Sequence, residues 1–136
     1  MLNLTNLGKA LQSLEKALQI YSSNTIQMGS CEEELFRDGI IQRFEYSFEL
    51  SWKTMKRYLE EYRLEKVDQL NNKDFFRLGF EVGLIKNVEA WFDYLKKRNL
   101  TSHVYDEDTA RLVYSSVEEF YKDAMYLYEQ LLAKTK

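Results

Sequence analysis

Leu4, Leu7, Leu11, Leu14 and Leu18 recur every three or four positions, and Tyr21 continues the series. That spacing places them on one helical face and predicts a helix from roughly Leu4 to Tyr21. Ser22, Ser23 and Asn24 end it, and a polar loop follows. Ser30-Cys31-Glu32-Glu33 reads as a capping box, with Ser30 as N-cap and Glu33 reaching back. A long second helix is expected from about Glu32 to Leu64. Its apolar face carries Ile41, Phe44, Phe48, Trp52, Met55, Leu59 and Tyr62. Beside that face runs a polar strip of Asp38, Gln42, Glu45, Glu49, Lys53 and Lys56. At about 100° per residue, Glu45 falls about 20° from Trp52, on the edge of the buried stripe.

A third helical region starts near Asn72 and holds Phe75, Phe76, Phe80 and Val82. Gly83 interrupts it, and a further segment runs from about Asn87 to Arg98 through Val88, Trp91, Phe92 and Leu95. Residues 99–105 read as a helix end and loop. Asp106 then caps a last helix, with Glu107 and Asp108 in the first turn, where the helix dipole favours acids. That helix carries two apolar strips about 100° apart. One is Val113, Val117, Phe120, Ala124, Leu127 and Leu131. The other is Ala110, Tyr114, Tyr121, Met125, Tyr128 and Leu132. One stripe suffices for a helix's own bundle, so the tyrosine-bearing strip has two readings: a subunit interface, or a crowded core. The pattern predicts an all-α, antiparallel four-helix up-and-down bundle with an interrupted third helical region, in one domain spanning 1–136.

Composition supports that architecture. There is no proline and there are five glycines, so long helices meet few breakers. No apolar run is long enough to span a membrane, and the N-terminus lacks the pattern of a secretory signal. The lone Cys31 cannot form an internal disulfide, which points to a reducing compartment and a cytoplasmic protein. The net charge of −3 gives no global nucleic-acid footprint, although a local basic cluster can still bind RNA.

Known catalytic patterns are few. One histidine and one cysteine exclude the usual multi-His or Cys-rich zinc sites, so no metal ligand set is assigned. No glycine-rich phosphate loop is present. Asp106-Glu107-Asp108 has the form of a D-x-D metal pair, but its place at a helix start makes it a cap. Chemistry concentrates instead in Arg98-Asn99-Leu100-Thr101-Ser102-His103-Val104-Tyr105, preceded by Lys96 and Lys97. On a continuous helix Arg98 and His103 diverge by about 140°; where a helix ends and the chain turns, they can converge on one pocket. Histidine is suited to moving a proton from a ribose 2′-hydroxyl, and arginine to holding a phosphate. The same residues also read as a basic helix C-terminus followed by a loop histidine. A second constellation, Asp38, Gln42, Glu45 and Glu49, either lines a groove with one carboxylate as general base or forms a solvated face.

The segment Arg37-Asp38-Gly39-Ile40-Ile41-Gln42-Arg43-Phe44-Glu45-Tyr46-Ser47-Phe48-Glu49-Leu50-Ser51-Trp52-Lys53 closely resembles the hallmark helix of the nucleotidyltransferase substrate-binding protein family, within the HEPN class of helical bundles. The resemblance covers essentially the whole chain. It implies a homodimer that associates with a separately encoded minimal nucleotidyltransferase. The Gly-Ser turn and D-x-D strand of the transferase itself are missing, since Gly29-Ser30 has no such strand after it. The partner would therefore supply the metal-binding carboxylates. Mg2+ and nucleoside triphosphate would reside on it, and this chain would carry no cofactor. From the matching segment, Asp38, Arg43, Glu45 and Glu49 are candidates for a substrate-binding groove. Arg98-x4-His103-x-Tyr105 resembles the R-x4-H-x-Y motif of HepT-type HEPN toxins. That resemblance implies a metal-independent endoribonuclease in which Arg98 binds phosphate and His103 is the acid/base. It also implies that Tyr105 accepts AMP from the partner acting as antitoxin.

Overall fold

The computed structural model describes residues 2–23 and 29–136, which leaves the expected helix stop at Asn24 outside the described residues. Helices α1 (Thr5–Ser22) and α2 (Cys31–Tyr62) are followed by a 3₁₀ turn, Val67–Gln69. Then come α3 (Asn72–Glu81), α4 (Val88–Asn99), a second 3₁₀ turn (Thr101–His103), α5 (Glu107–Tyr114) and α6 (Val117–Lys134). The all-α bundle expected from the pattern is the observed fold. Side-chain caps account for several helix starts. Ser30 Oγ accepts from the Glu33 amide at 3.1 Å, and Asn71, Asn87 and Asp106 accept likewise at the starts of α3, α4 and α5. Glu33 reaches back past the N-cap, accepting from the amide of Gly29, the residue before Ser30, at 3.3 Å.

Helix α2 is the axis of the bundle, packing against α1, α4, α5 and α6. Ile40, Ile41, Phe44, Phe48, Met55 and Leu59 line its buried face. Trp52 and Tyr62 sit at the margin of the stripe: Trp52 is half-buried, and Tyr62 is exposed beside Tyr58. Phe120 of α6 closes the core. Its ring meets Phe44 edge-on at 4.9 Å and lies 5.8 Å from Trp91 and 5.4 Å from Tyr94. That geometry is a favoured aromatic arrangement and joins three helices.

Gly83 adopts φ +84 in the turn after α3, the left-handed conformation that glycine adopts at no steric cost, and it interrupts the third region as expected. The last helical region differs from expectation, because it breaks at Ser115-Ser116 into α5 and α6. Ser115 Oγ donates to the Leu112 carbonyl at 2.6 Å, and the Ser116 amide bonds Val113 three residues back. Serine hydroxyls compete in this way with the helical ladder.

The tyrosine-bearing strip turns inward. The Tyr121 hydroxyl donates to Glu15 of α1, and the Tyr114 ring lies 5.3 Å from Tyr21. Tyr128 lies so close over Gly8 that a Cβ there would come within 2.8 Å of its hydroxyl. Helix α1 thus packs on the strip, leaving Tyr114, Tyr121, Met125 and Tyr128 half-buried and Leu132 exposed. Among the described residues no helix is long and apolar enough to cross a membrane.

Candidate active site at the end of helix α4

Helix α4 ends at Asn99, and the 3₁₀ turn Thr101–His103 redirects the chain toward α5. The Leu100 amide bonds Lys97, the His103 amide bonds Leu100, and the Asp106 amide bonds His103, each three residues back. Asp106 then fixes the start of α5 by accepting from both the amide and the hydroxyl of Thr109 at 3.1 and 2.8 Å. These bonds hold the Asp106 carboxyl below its usual range. Its place in the D-x-D sequence is therefore a capping one.

Two carboxylates of α2 hold this turn. Glu49 Oε1 accepts from Arg98 Nε at 2.5 Å, and Glu45 accepts from the Thr101 hydroxyl, which also lies 2.7 Å from the Arg98 carbonyl. Arg98 and Glu49 are each about a third exposed, at 31% and 37%. Both terminal nitrogens of the Arg98 guanidinium are left without a partner among the described residues. Two members of the acidic strip of α2, Glu45 and Glu49, thus meet the Arg98–Tyr105 segment that the sequence presents separately.

His103 stands exposed on the turn. Its Nδ1 lies 3.3 Å from the Tyr105 hydroxyl, with the rings tilted at 70° and their centroids 5.9 Å apart. The Tyr105 side chain projects into solvent, 84% exposed. Arg98 and His103 share this edge of the bundle but do not bond each other: one is held by Glu49, the other touches Tyr105. The basic run before them is partly neutralised. Lys97 pairs with Asp93 at 2.8 Å, and Lys96 lies over the Phe92 ring.

The remaining candidates separate. Asp38 stays on the rim, 3.5 Å from Arg37. Arg43 lies about 160° around α2 from Glu45 and faces α1, where it bonds Ser13 Oγ and the Gly39 carbonyl. There it lines a groove of about 390 Å³ between α1 and α2, together with Lys16, Leu35 and Phe36. Neither Arg43 nor Asp38 therefore joins Glu45 and Glu49 at the Arg98–Thr101 contact.

Two contributors were not singled out from the sequence. Thr101 ties the turn to Glu45. Arg37, buried on α2, donates to Glu107 at 2.6 Å and so clamps the start of α5. The Arg37 guanidinium holds the Glu107 carboxyl below its ordinary value. Arg37 falls about 20° from Phe44 on the helical wheel, and a charged residue on the apolar stripe is the signal that marks it.

Chemically, the edge offers an arginine whose terminal donors have no partner among the described residues, one exposed imidazole and one exposed phenol. Arginine binds phosphate bidentately, and imidazole transfers protons near neutrality.

Known proteins share this framework. A curated relative from Haemophilus influenzae, named probable ribonuclease HepT, is 37% identical over 134 residues, covering 96% of this chain and 92% of its own. A solved Haemophilus influenzae structure, described as revealing the fold of a substrate-binding domain of a nucleotidyltransferase, superposes with a TM-score of 0.87. It is 36% identical, with 95% of this chain and 98% of the other covered. A Thermus thermophilus structure superposes with a TM-score of 0.74 at 28% identity, covering 92% and 98%. Residues 2–133 match the family described as nucleotidyltransferase substrate binding protein like. With sequence and fold matching end to end, this chain belongs to the nucleotidyltransferase substrate-binding protein family.

Proposed function

We propose that this chain is the helical partner of a separately encoded minimal nucleotidyltransferase and that its Arg98–His103 edge is a metal-independent ribonuclease centre. Arg98 binds the scissile phosphate through its free terminal nitrogens. His103 takes the proton of the ribose 2′-hydroxyl as that oxygen attacks phosphorus, and a proton is returned to the departing 5′-oxygen. Tyr105 is the acceptor through which the partner, carrying Mg2+ and nucleoside triphosphate, silences the site by adenylylation.

The observation that carries this reading is the use of the α2 carboxylates. Glu45 and Glu49 are engaged by Thr101 and Arg98 rather than presented to a ligand, while the imidazole and phenol stand exposed. The name of the Haemophilus influenzae relative supports the same activity. A cytoplasmic homodimer fits this reading, with two copies bringing two such edges to one RNA.

A second reading is favoured by Arg43, a half-buried arginine that has only neutral partners and lines the groove between α1 and α2. It makes the chain the substrate-binding subunit of a two-part transferase, binding nucleotide or substrate only with the partner present.

Expression of the chain without any partner, wild type beside His103→Ala, decides between them. Growth arrest with RNA fragmentation in the wild type alone, persisting in purified protein with chelator, supports the ribonuclease. Intact RNA and normal growth in both would overturn it in favour of the binding subunit.

A further inference from the structure

We propose that His103 is also the base that activates Tyr105 for its own adenylylation. This inference rests on the reading of Tyr105 as the AMP acceptor and adds the group that takes its proton. A phenol near neutrality is almost wholly protonated, and such a hydroxyl is a weak nucleophile until an adjacent base removes its proton. The tyrosine hydroxyls of the bundle differ in what they face. Those of Tyr94 and Tyr121 donate to the carboxylates of Asp123 and Glu15, and burial helps to raise the pKa of both phenols. Tyr105 is exposed, and its hydroxyl faces an imidazole nitrogen at 3.3 Å, within reach of a proton transfer.

The contact is set by the backbone. The Asp106 amide bonds the His103 carbonyl, which closes a turn with half-buried Val104 and exposed Tyr105 at its corners. The next residue is locked as the cap of α5. His103 and Tyr105 are thereby carried on one short, twice-anchored turn.

The tautomer selects the task. With the ring proton on Nε2, the Nδ1 lone pair faces the phenol. Tyr105 Oη attacks the α-phosphorus of the nucleoside triphosphate held by the partner. The new O–P bond forms as the bond from that phosphorus to the pyrophosphate oxygen breaks. Pyrophosphate leaves with the electron pair, the phenol proton passes to Nδ1, and the imidazolium then releases a proton to water. With the ring proton on Nδ1, it is donated to Tyr105 Oη, and Nε2 is left with the lone pair that the RNA reaction requires. One imidazole therefore serves both the activity and its silencing.

The test uses the full chain with its cognate nucleotidyltransferase, Mg2+ and ATP labelled on the α-phosphate, following initial incorporation at Tyr105 by peptide mass. Tyr105→Phe sets the background. His103→Ala is expected to slow labelling about a hundredfold or more, the usual contribution of a positioned base, and free imidazole should restore at least tenfold of that loss. Labelling of His103→Ala within about threefold of wild type would overturn the base. So would a loss that imidazole cannot restore, which would make His103 a docking contact. Absence of label at Tyr105 in the wild type is a separate result: it overturns the acceptor reading, and the base with it.

Discussion

Glu49 either holds Arg98 or acts on a ligand itself, and Glu49→Gln separates the two. The substitution keeps the shape of the side chain and an acceptor oxygen but removes the charge facing Arg98 Nε at 2.5 Å. Two unit charges about 4 Å apart attract by about 4 kcal/mol at an effective dielectric of about 20. Both groups are a third exposed, so desolvation, water and salt reduce the net coupling to about 1 kcal/mol. For a domain of this size that corresponds to a melting point lowered by about 3–5 °C. In RNA cleavage, an untethered Arg98 must be ordered at the moment of binding, at about 0.5–1.5 kcal/mol, or roughly a two- to thirteenfold slower reaction. Arg98→Ala itself is expected to slow cleavage about a hundredfold or more. The decisive assay is single-turnover cleavage of a quenched fluorescent RNA by all four members of the cycle, with thermal unfolding of each alongside. If Glu49 works through Arg98, Glu49→Gln has no further effect once Arg98 is alanine. An equal slowing in both backgrounds would refute the tether and return Glu49 to a ligand-binding groove. Faster cleavage by Glu49→Gln would refute it as well, since the pair would then be a latch.

Two further outcomes test the scaffold. Leu64, just past the end of α2, has φ 55 and is 83% exposed. Leu64→Gly relieves about 1–2 kcal/mol of left-handed strain against about 0.5–1 kcal/mol of added chain entropy. A melting point higher by about 2–4 °C is expected; a lower one would show that the leucine side chain is covered in solution. The second outcome is alkaline unfolding. Burial drives the Tyr114 and Tyr121 phenols up to about 12, and burial with the Asp123 carboxylate drives Tyr94 higher still. The folded protein therefore binds more protons than the unfolded chain above pH 10, and stability present below that pH is lost as it rises toward 12. Tyrosinate absorbance should rise in two stages, the later one coinciding with loss of helical circular dichroism. A single early stage with helix intact would contradict the burial of these rings.

The helices were legible because each writes its own period into the chain. The stripe of α2 from Ile41 to Leu59 marked the buried face, and Ser30, Asn87, Asp106 and Gly83 supplied stops and starts. What covers a face was less legible. The strip of Tyr121, Met125 and Tyr128 was visible as apolar, but periodicity says nothing about the occupant opposite, which proved to be α1. The break at Ser115-Ser116 turns on the Ser115 hydroxyl choosing the Leu112 carbonyl, a choice that the two apolar strips running across it conceal. The site was half legible. Its residues stood out by type, but Glu49 and Arg98 lie 49 positions apart and Glu45 and Thr101 lie 56 apart, on different helices. No spacing within either segment records that they meet.

That meeting changes the meaning of the acidic strip. On the proposed reading, two carboxylates beside an arginine that takes phosphate would repel the ligand if both were free, and would organise the site where each already accepts a hydrogen bond. Here Glu49 accepts from Arg98 Nε, and Glu45 accepts from Thr101 in the turn that carries His103. The charge balance also limits what one copy can do. Lys97 is offset by Asp93, Arg98 is offset by Glu49, and the whole chain carries a net charge of −3. A polyanion gains little long-range attraction from such a surface, so affinity must come from a few close phosphate contacts. Two copies facing one strand would double the arginines and imidazoles within reach. The same electrostatics suits silencing through Tyr105. Under the reading of Tyr105 as the AMP acceptor, a phosphodiester attached there would stand beside the imidazole, and the negative charge it adds would weaken the hold on RNA.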